Sequence, residues 1–118
     1  MPFKSILKEL VDCTPHAIGA ILVDWEGEAV QEYCHCEPYD IRFVAAHKGI
    51  ILGRLKEIQN SIQVGDVEDV VVTATDGHLI IGCVDPDYSL VMSIGRCCPV
   101  ALAMYYFHAA VGRCKKEI

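Results

Sequence analysis

The chain has 118 residues, 53% of them hydrophobic, and its 16 acidic side chains outnumber the 10 basic ones to leave a formal net charge of −6. That length suits one domain, residues 1–118, and the acidic balance argues against nucleic acid or anionic lipid as a partner drawn in by long-range attraction. The apolar share exceeds what a monomer of this size easily hides, which favours self-association, while the apolar runs at 17–23 and 97–107 fall short of the roughly 20 residues of a membrane span. Residues 1–4 lack a signal-peptide core, so a soluble, cytoplasmic protein is expected. Seven cysteines, an odd number without framework spacing, read as reduced thiols packed as small apolar side chains.

Pro2 suits a first helical turn, and Phe3, Ile6, Leu7, Leu10 and Val11 recur as on one face of an amphipathic helix, which Thr14-Pro15 ends. Residues 17–24 are almost continuously apolar, as a central strand buried on both faces would be. A turn at 25–27 leads to a second strand, 29–36, where Glu28, Gln31 and Glu32 point to a place nearer a sheet edge. Residues 38–63 form the longest helical candidate, capped by Asp40, with Val44, Ile51, Leu55, Ile58 and Ile62 at three- and four-residue steps. Phe43, Ala46 and Ile50 make a second apolar face beside Gly49 and Gly53. Each glycine costs about 1 kcal/mol of helix propensity relative to alanine. Two explanations stand: another backbone approaches closely there, or the glycines clear space for large residues of the protein's own sheet.

The next stretch reads as a three-strand meander. Strands at 70–75, 78–84 and 88–94 are joined by Asp76-Gly77, a two-residue turn in which glycine supplies positive φ, and by Asp85-Pro86-Asp87. Cys98-Pro99 then opens a last helix running to about Lys116, with Pro99 as its first helical residue and Lys115 and Lys116 facing the negative end of the dipole. Val100, Met104, Phe107, Val111 and Cys114 form its stripe, widened by Leu102, Tyr106 and Ala109.

Phosphate loops, dinucleotide fingerprints, HExxH and GxSxG are all missing from the sequence, so neither catalytic residues nor a cofactor are expected. Cys34-His35-Cys36 is the best metal candidate, since sulfur and imidazole suit zinc and a strand places both thiols on one face. Structural zinc needs four ligands, and the rest would have to come from Cys13 and His16; ordinary packing is the expected role. Cys97-Cys98 reads as cap and core packing, His47 and His108 as interface or partly buried residues, and Asp24-Trp25 as turn chemistry with an aromatic anchor. A domain sensing a metal, a small molecule or redox state through its cysteines is the alternative functional reading.

Several strings in this order, Gly19-Ala20-Ile21-Leu22-Val23-Asp24-Trp25-Glu26-Gly27, the long helix from Asp40, Asp76-Gly77-His78-Leu79-Ile80-Ile81 and Asp85-Pro86-Asp87-Tyr88-Ser89-Leu90-Val91-Met92, resemble the roadblock/LC7 family of dynein light chains and bacterial gliding regulators. The resemblance implies an α+β, profilin-like fold in the order α-ββ-α-βββ-α. Its five-stranded antiparallel sheet has the order 2-1-5-4-3 and is flanked by three helices, the terminal two on one face and the long one on the other. It also implies a homodimer in which third strands pair and long helices pack, with Gly49, Ile50, Gly53, Arg54, Glu57, Asp69, Val71, Thr73 and Thr75 in the contact. Such pairing would remove the liability of an exposed apolar edge at 69–75. The implied role is a non-enzymatic adaptor or regulator of a small Ras-like GTPase or of a motor or signalling complex. The cysteine count is a departure unconnected to that role.

Overall fold

Helix α1 (Pro2–Cys13) buries Ile6, Leu7, Leu10 and Val11, the stripe its periodicity predicts. Its end is built locally. The Thr14 backbone N–H and hydroxyl both donate to the Leu10 carbonyl, at 3.1 and 2.7 Å, and Pro15 has no N–H with which to continue the helix. His16 then takes a left-handed backbone (φ 60°) and its carbonyl accepts the Gly95 N–H at 2.8 Å, tying the turn to the sheet. The computed structural model describes residues 2–24, 26, 28–35 and 68–118, so the helix expected at 38–63 lies outside the described residues.

Five strands follow: β1 (Ala17–Asp24), β2 (Ala29–Cys34), β3 (Asp69–Thr73), β4 (Gly77–Asp85) and β5 (Tyr88–Gly95), and the second described helix, α2 (Val100–Glu117), comes last. All neighbouring strands are antiparallel and the spatial order is β2-β1-β5-β4-β3. An aspartate side chain shapes each of two tight connections. Asp24 Oδ1 accepts the N–H groups of Glu26 and Glu28 at 2.9 Å, and Asp85 Oδ1 accepts those of Asp87 and Tyr88 at 2.8 Å, the local bonding that makes Asp a turn residue.

Side chains alternate across the sheet with period two. Ala20, Leu22, Ile80, Val84, Leu90, Met92 and Ile94 face α1 and α2 in one core that includes Leu7, Phe107, Ala110 and Cys114. Ile21, Val23, Ile81 and Val91 form a separate buried cluster on the opposite face, joined at its margin by Cys34, Val70, Leu79 and Cys83. Gly82 sits where α2 crosses β4. A Cβ there would meet the Phe107 ring at 2.5 Å, so the missing side chain is what lets a fully buried phenylalanine lie on the strand.

Five sequence expectations need correction. Strand β2 ends at Cys34, where the chain bends, instead of reaching residue 36. Strand β3 ends at Thr73, because the Ala74 N–H bonds the Gly77 carbonyl at 2.8 Å and closes the hairpin around Thr75 and Asp76. Gly77 is therefore the first residue of β4 without positive φ; its need is space, since a Cβ would run into the Ile94 carbonyl oxygen across the strand. Pro99 is the N-cap of α2 in extended conformation (ψ 122°), its carbonyl accepting the Ala103 N–H at 3.1 Å, so the helix begins one residue later than expected. The buried stripe of α2 is also rotated, to Ala103, Phe107, Ala110 and Cys114, leaving Leu102 and Ala109 exposed.

Candidate functional site: the free edge at strand β3

Strand order leaves β2 and β3 with one strand neighbour each among the described residues. Hydrogen bonds at the two ends of the β3–β4 ladder, Cys83 N–H to the Glu68 carbonyl at 2.9 Å and Ala74 N–H to the Gly77 carbonyl at 2.8 Å, set its phase. In an antiparallel ladder the bonding residues alternate. Val70 and Val72 therefore turn their backbone groups toward β4, while Asp69, Val71 and Thr73 turn theirs outward. Among the described residues nothing donates to or accepts from those outward groups. The β3 ladder runs without a bulge, whereas the other three ladders each contain a register irregularity. Val71 and Val72 are 37% and 39% exposed on opposite faces of the sheet, so the strand is an apolar, regular edge of the kind that templates pairing.

The side chains flanking this edge hold it in place. His108 on α2 meets Asp69 Oδ2 through Nε2 at 2.8 Å, and Thr73 Oγ1 lies 2.9 Å from His78 Nδ1. Arg96 donates to the Ala74 carbonyl at 3.1 Å, clamping the hairpin. His108, expected at an interface or partly buried, is an exposed tether between helix and edge. Its partner lies 39 residues away, and no local pattern announces the pair. Of the residues expected at a contact between copies, Asp69, Val71 and Thr73 lie together on the outward phase of β3. Thr75 does not; it sits in the hairpin loop beyond the strand. Gly49, Ile50, Gly53, Arg54 and Glu57 lie outside the described residues.

The opposite edge is capped at Glu32. Glu32, like Cys34, is a β2 residue whose backbone points away from β1, as the Ile18–His35 bond at 2.8 Å sets that ladder's phase. The Glu32 carbonyl accepts Lys4 Nζ at 2.7 Å and its N–H donates to Gln31 Oε1 at 3.2 Å. Lys4 and Lys8 each lie 5.4 Å from the centre of the Tyr33 ring, the geometry of a cation–π contact. The Tyr33 hydroxyl donates to Asp12 at 3.2 Å, and Lys8 bonds the same carboxylate at 2.9 Å. The Lys8 bond is the main cause holding the Asp12 carboxyl below its ordinary pKa, and Asp12 in turn raises that of Lys8.

Among the described residues the candidate metal ligands do not converge. His35 reaches toward α1, 3.3 Å from Asp12, while Cys34 packs at the margin of the cluster on the opposite face; Cys36 is outside the described residues. Among the described residues no three His, Cys, Asp or Glu side chains gather as metal ligands. Cys98 and Cys114 are buried, and burial raises both thiol pKa values, that of Cys114 to about 11. Cys13 and Cys97 are exposed.

No protein-family model matches the sequence, and neither does any curated protein. Solved structures do match. A roadblock/LC7 domain from Streptomyces avermitilis aligns over 97% of this chain and 95% of its own length with a TM-score of 0.87 and 20% identity. This chain has the roadblock/LC7 fold. The gliding protein MglB of Thermus thermophilus shares the fold at a TM-score of 0.88 and 14% identity, over 98% of this chain and 87% of its own. MglC of Myxococcus xanthus aligns over the full length of both chains at 0.71 and 19%. The roadblock/LC7 sheet order expected from the sequence, 2-1-5-4-3, is the one observed. Among the described residues no helix is long and apolar enough to cross a membrane.

Proposed function

We propose that the chain is a non-enzymatic adaptor or regulator that works as a pair of copies joined through β3, and that it engages a small Ras-like GTPase or a larger protein assembly. The contrast between the two sheet edges carries this reading: β2 has its outward backbone groups at Glu32 capped by side chains, while β3 offers an uninterrupted apolar strand. A two-fold axis beside β3 would pair Asp69, Val71 and Thr73 with the same residues of a second copy, an isologous contact that closes on itself. The contact proposed at Gly49, Ile50, Gly53, Arg54 and Glu57 would add to it. Similarity to roadblock/LC7 and gliding-protein structures supports a regulatory role of this kind.

Sedimentation velocity of the purified chain at about 10 µM, a concentration at which a micromolar dimer is mostly assembled, should show two copies. Affinity capture with the wild-type chain as bait, analysed for Ras-like GTPases loaded with GTP or GDP, then tests the partner. A monomer at that concentration would refute the β3 pairing, and a dimer that binds no such GTPase would refute that choice of partner.

A further inference from the structure

A chain with two sheet edges open to strand pairing does not stop at a dimer. If β3 pairs across one two-fold axis and β2 pairs across another, the sheets join end to end into a ribbon with no terminus. We propose that Lys4 and Gln31 close the β2 edge to strand addition, so that assembly through β3 ends at two copies. The count of two rests on the β3 pairing proposed above; the closure of β2 does not.

The device is placed from several directions. Helix α1 lies against β2, and the Tyr33 ring under Lys4 and Lys8 holds the Lys4 ammonium beside the strand. There it bonds the outward Glu32 carbonyl at 2.7 Å. Gln31 occupies the other outward group of Glu32 by accepting its N–H at 3.2 Å. An arriving strand would have to displace both bonds and strip water from an ammonium ion, which is why lysine at an edge discourages pairing. By contrast, no side chain among the described residues does this for Val71.

The test compares the full chain with the Lys4→Ala/Gln31→Val variant by sedimentation velocity, in the wild-type background and in a Val71→Pro background that disables β3. Removing the caps should at least about double the mass of the largest folded, reversibly formed species in either background, because each newly open edge recruits another copy. Identical sedimentation with and without the caps in both backgrounds overturns the proposal. A wild-type chain found to be monomeric would remove the β3 pairing while leaving this comparison intact. Should the double variant lose its far-UV circular dichroism, Lys4→Met, which keeps the stem on Tyr33 and removes the donor, gives the same readout. No growth in that variant then overturns the proposal.

Discussion

Proline scanning at two adjacent valines separates the edge from the ladder. The Val71 N–H points away from β4 and the Val72 N–H points toward it, by the phase that the Glu68–Cys83 and Ala74–Gly77 bonds set. Proline removes the N–H at either position. In Val71→Pro the lost donor is one the monomer does not use, so the isolated chain should be destabilised by about 1 kcal/mol or less. The proposed dimer loses that donor twice by symmetry. Each loss leaves a partner carbonyl unbonded at about 1–3 kcal/mol, so association weakens by about 2–6 kcal/mol, or about 30-fold to 10⁴-fold in dissociation constant. Val72→Pro instead breaks the bond to Leu79 within the chain and should cost the monomer at least about 1–3 kcal/mol. Sedimentation equilibrium gives the first quantity. Urea unfolding of both variants under monomeric conditions gives the second, and dilution is needed because dimerisation stabilises the wild type by mass action. A Val71→Pro chain that associates like wild type refutes pairing through β3. Equal destabilisation of the two monomers refutes the assigned ladder phase.

Gly82→Ala would place a methyl 2.5 Å from the Phe107 ring edge, and overpacking of that kind should lower stability by about 1–3 kcal/mol in chemical denaturation. Combined with Phe107→Leu the loss should be less than the sum of the two single changes, since the smaller side chain makes room; strict additivity would mean the two sites do not share that space. The Cys114 thiol, pushed from 9.0 up to about 11 by burial, makes the folded state hold its proton longer than the unfolded state. Its contribution is thus complete below pH 9 and is lost as pH rises from about 9 to 11, by about 2 kcal/mol, and Cys114→Ala should flatten unfolding free energy across that window. Among the described cysteines, alkylation of the native chain should mark Cys13 and Cys97 first and reach Cys98 and Cys114 only on unfolding, as peptide mass mapping would read. Early labelling of Cys114 would contradict its burial.

Some of these features were legible in residue order because the physics behind them is local. The apolar run from Ala17 ends at an aspartate whose own carboxylate shapes the turn, so β1 is bounded by its sequence. The α1 stripe and its Thr14-Pro15 stop depend on neighbours within four residues, and the Asp85 turn within three. Sheet order followed from the resemblance to roadblock/LC7 domains, carried by several such local strings in sequence. The hairpin after β3 was misread where Asp-Gly is common turn chemistry but a carbonyl on β5 demanded the glycine. The α2 stripe was misread because an apolar helix with alanine on several sides has no single face until Phe107 finds the space over Gly82.

Residue order by itself determined the number and type of the described elements, the turns at Asp24 and Asp85 and the apolar character of β3. Tertiary structure alone decided which edge stays open. Lys4 reaches Glu32 across 28 residues and His108 reaches Asp69 across 39, and the alternation of outward backbone groups depends on a ladder phase set by strand pairing. A strand's propensity is written in its own side chains, but whether its edge is occupied depends on what the rest of the chain brings beside it.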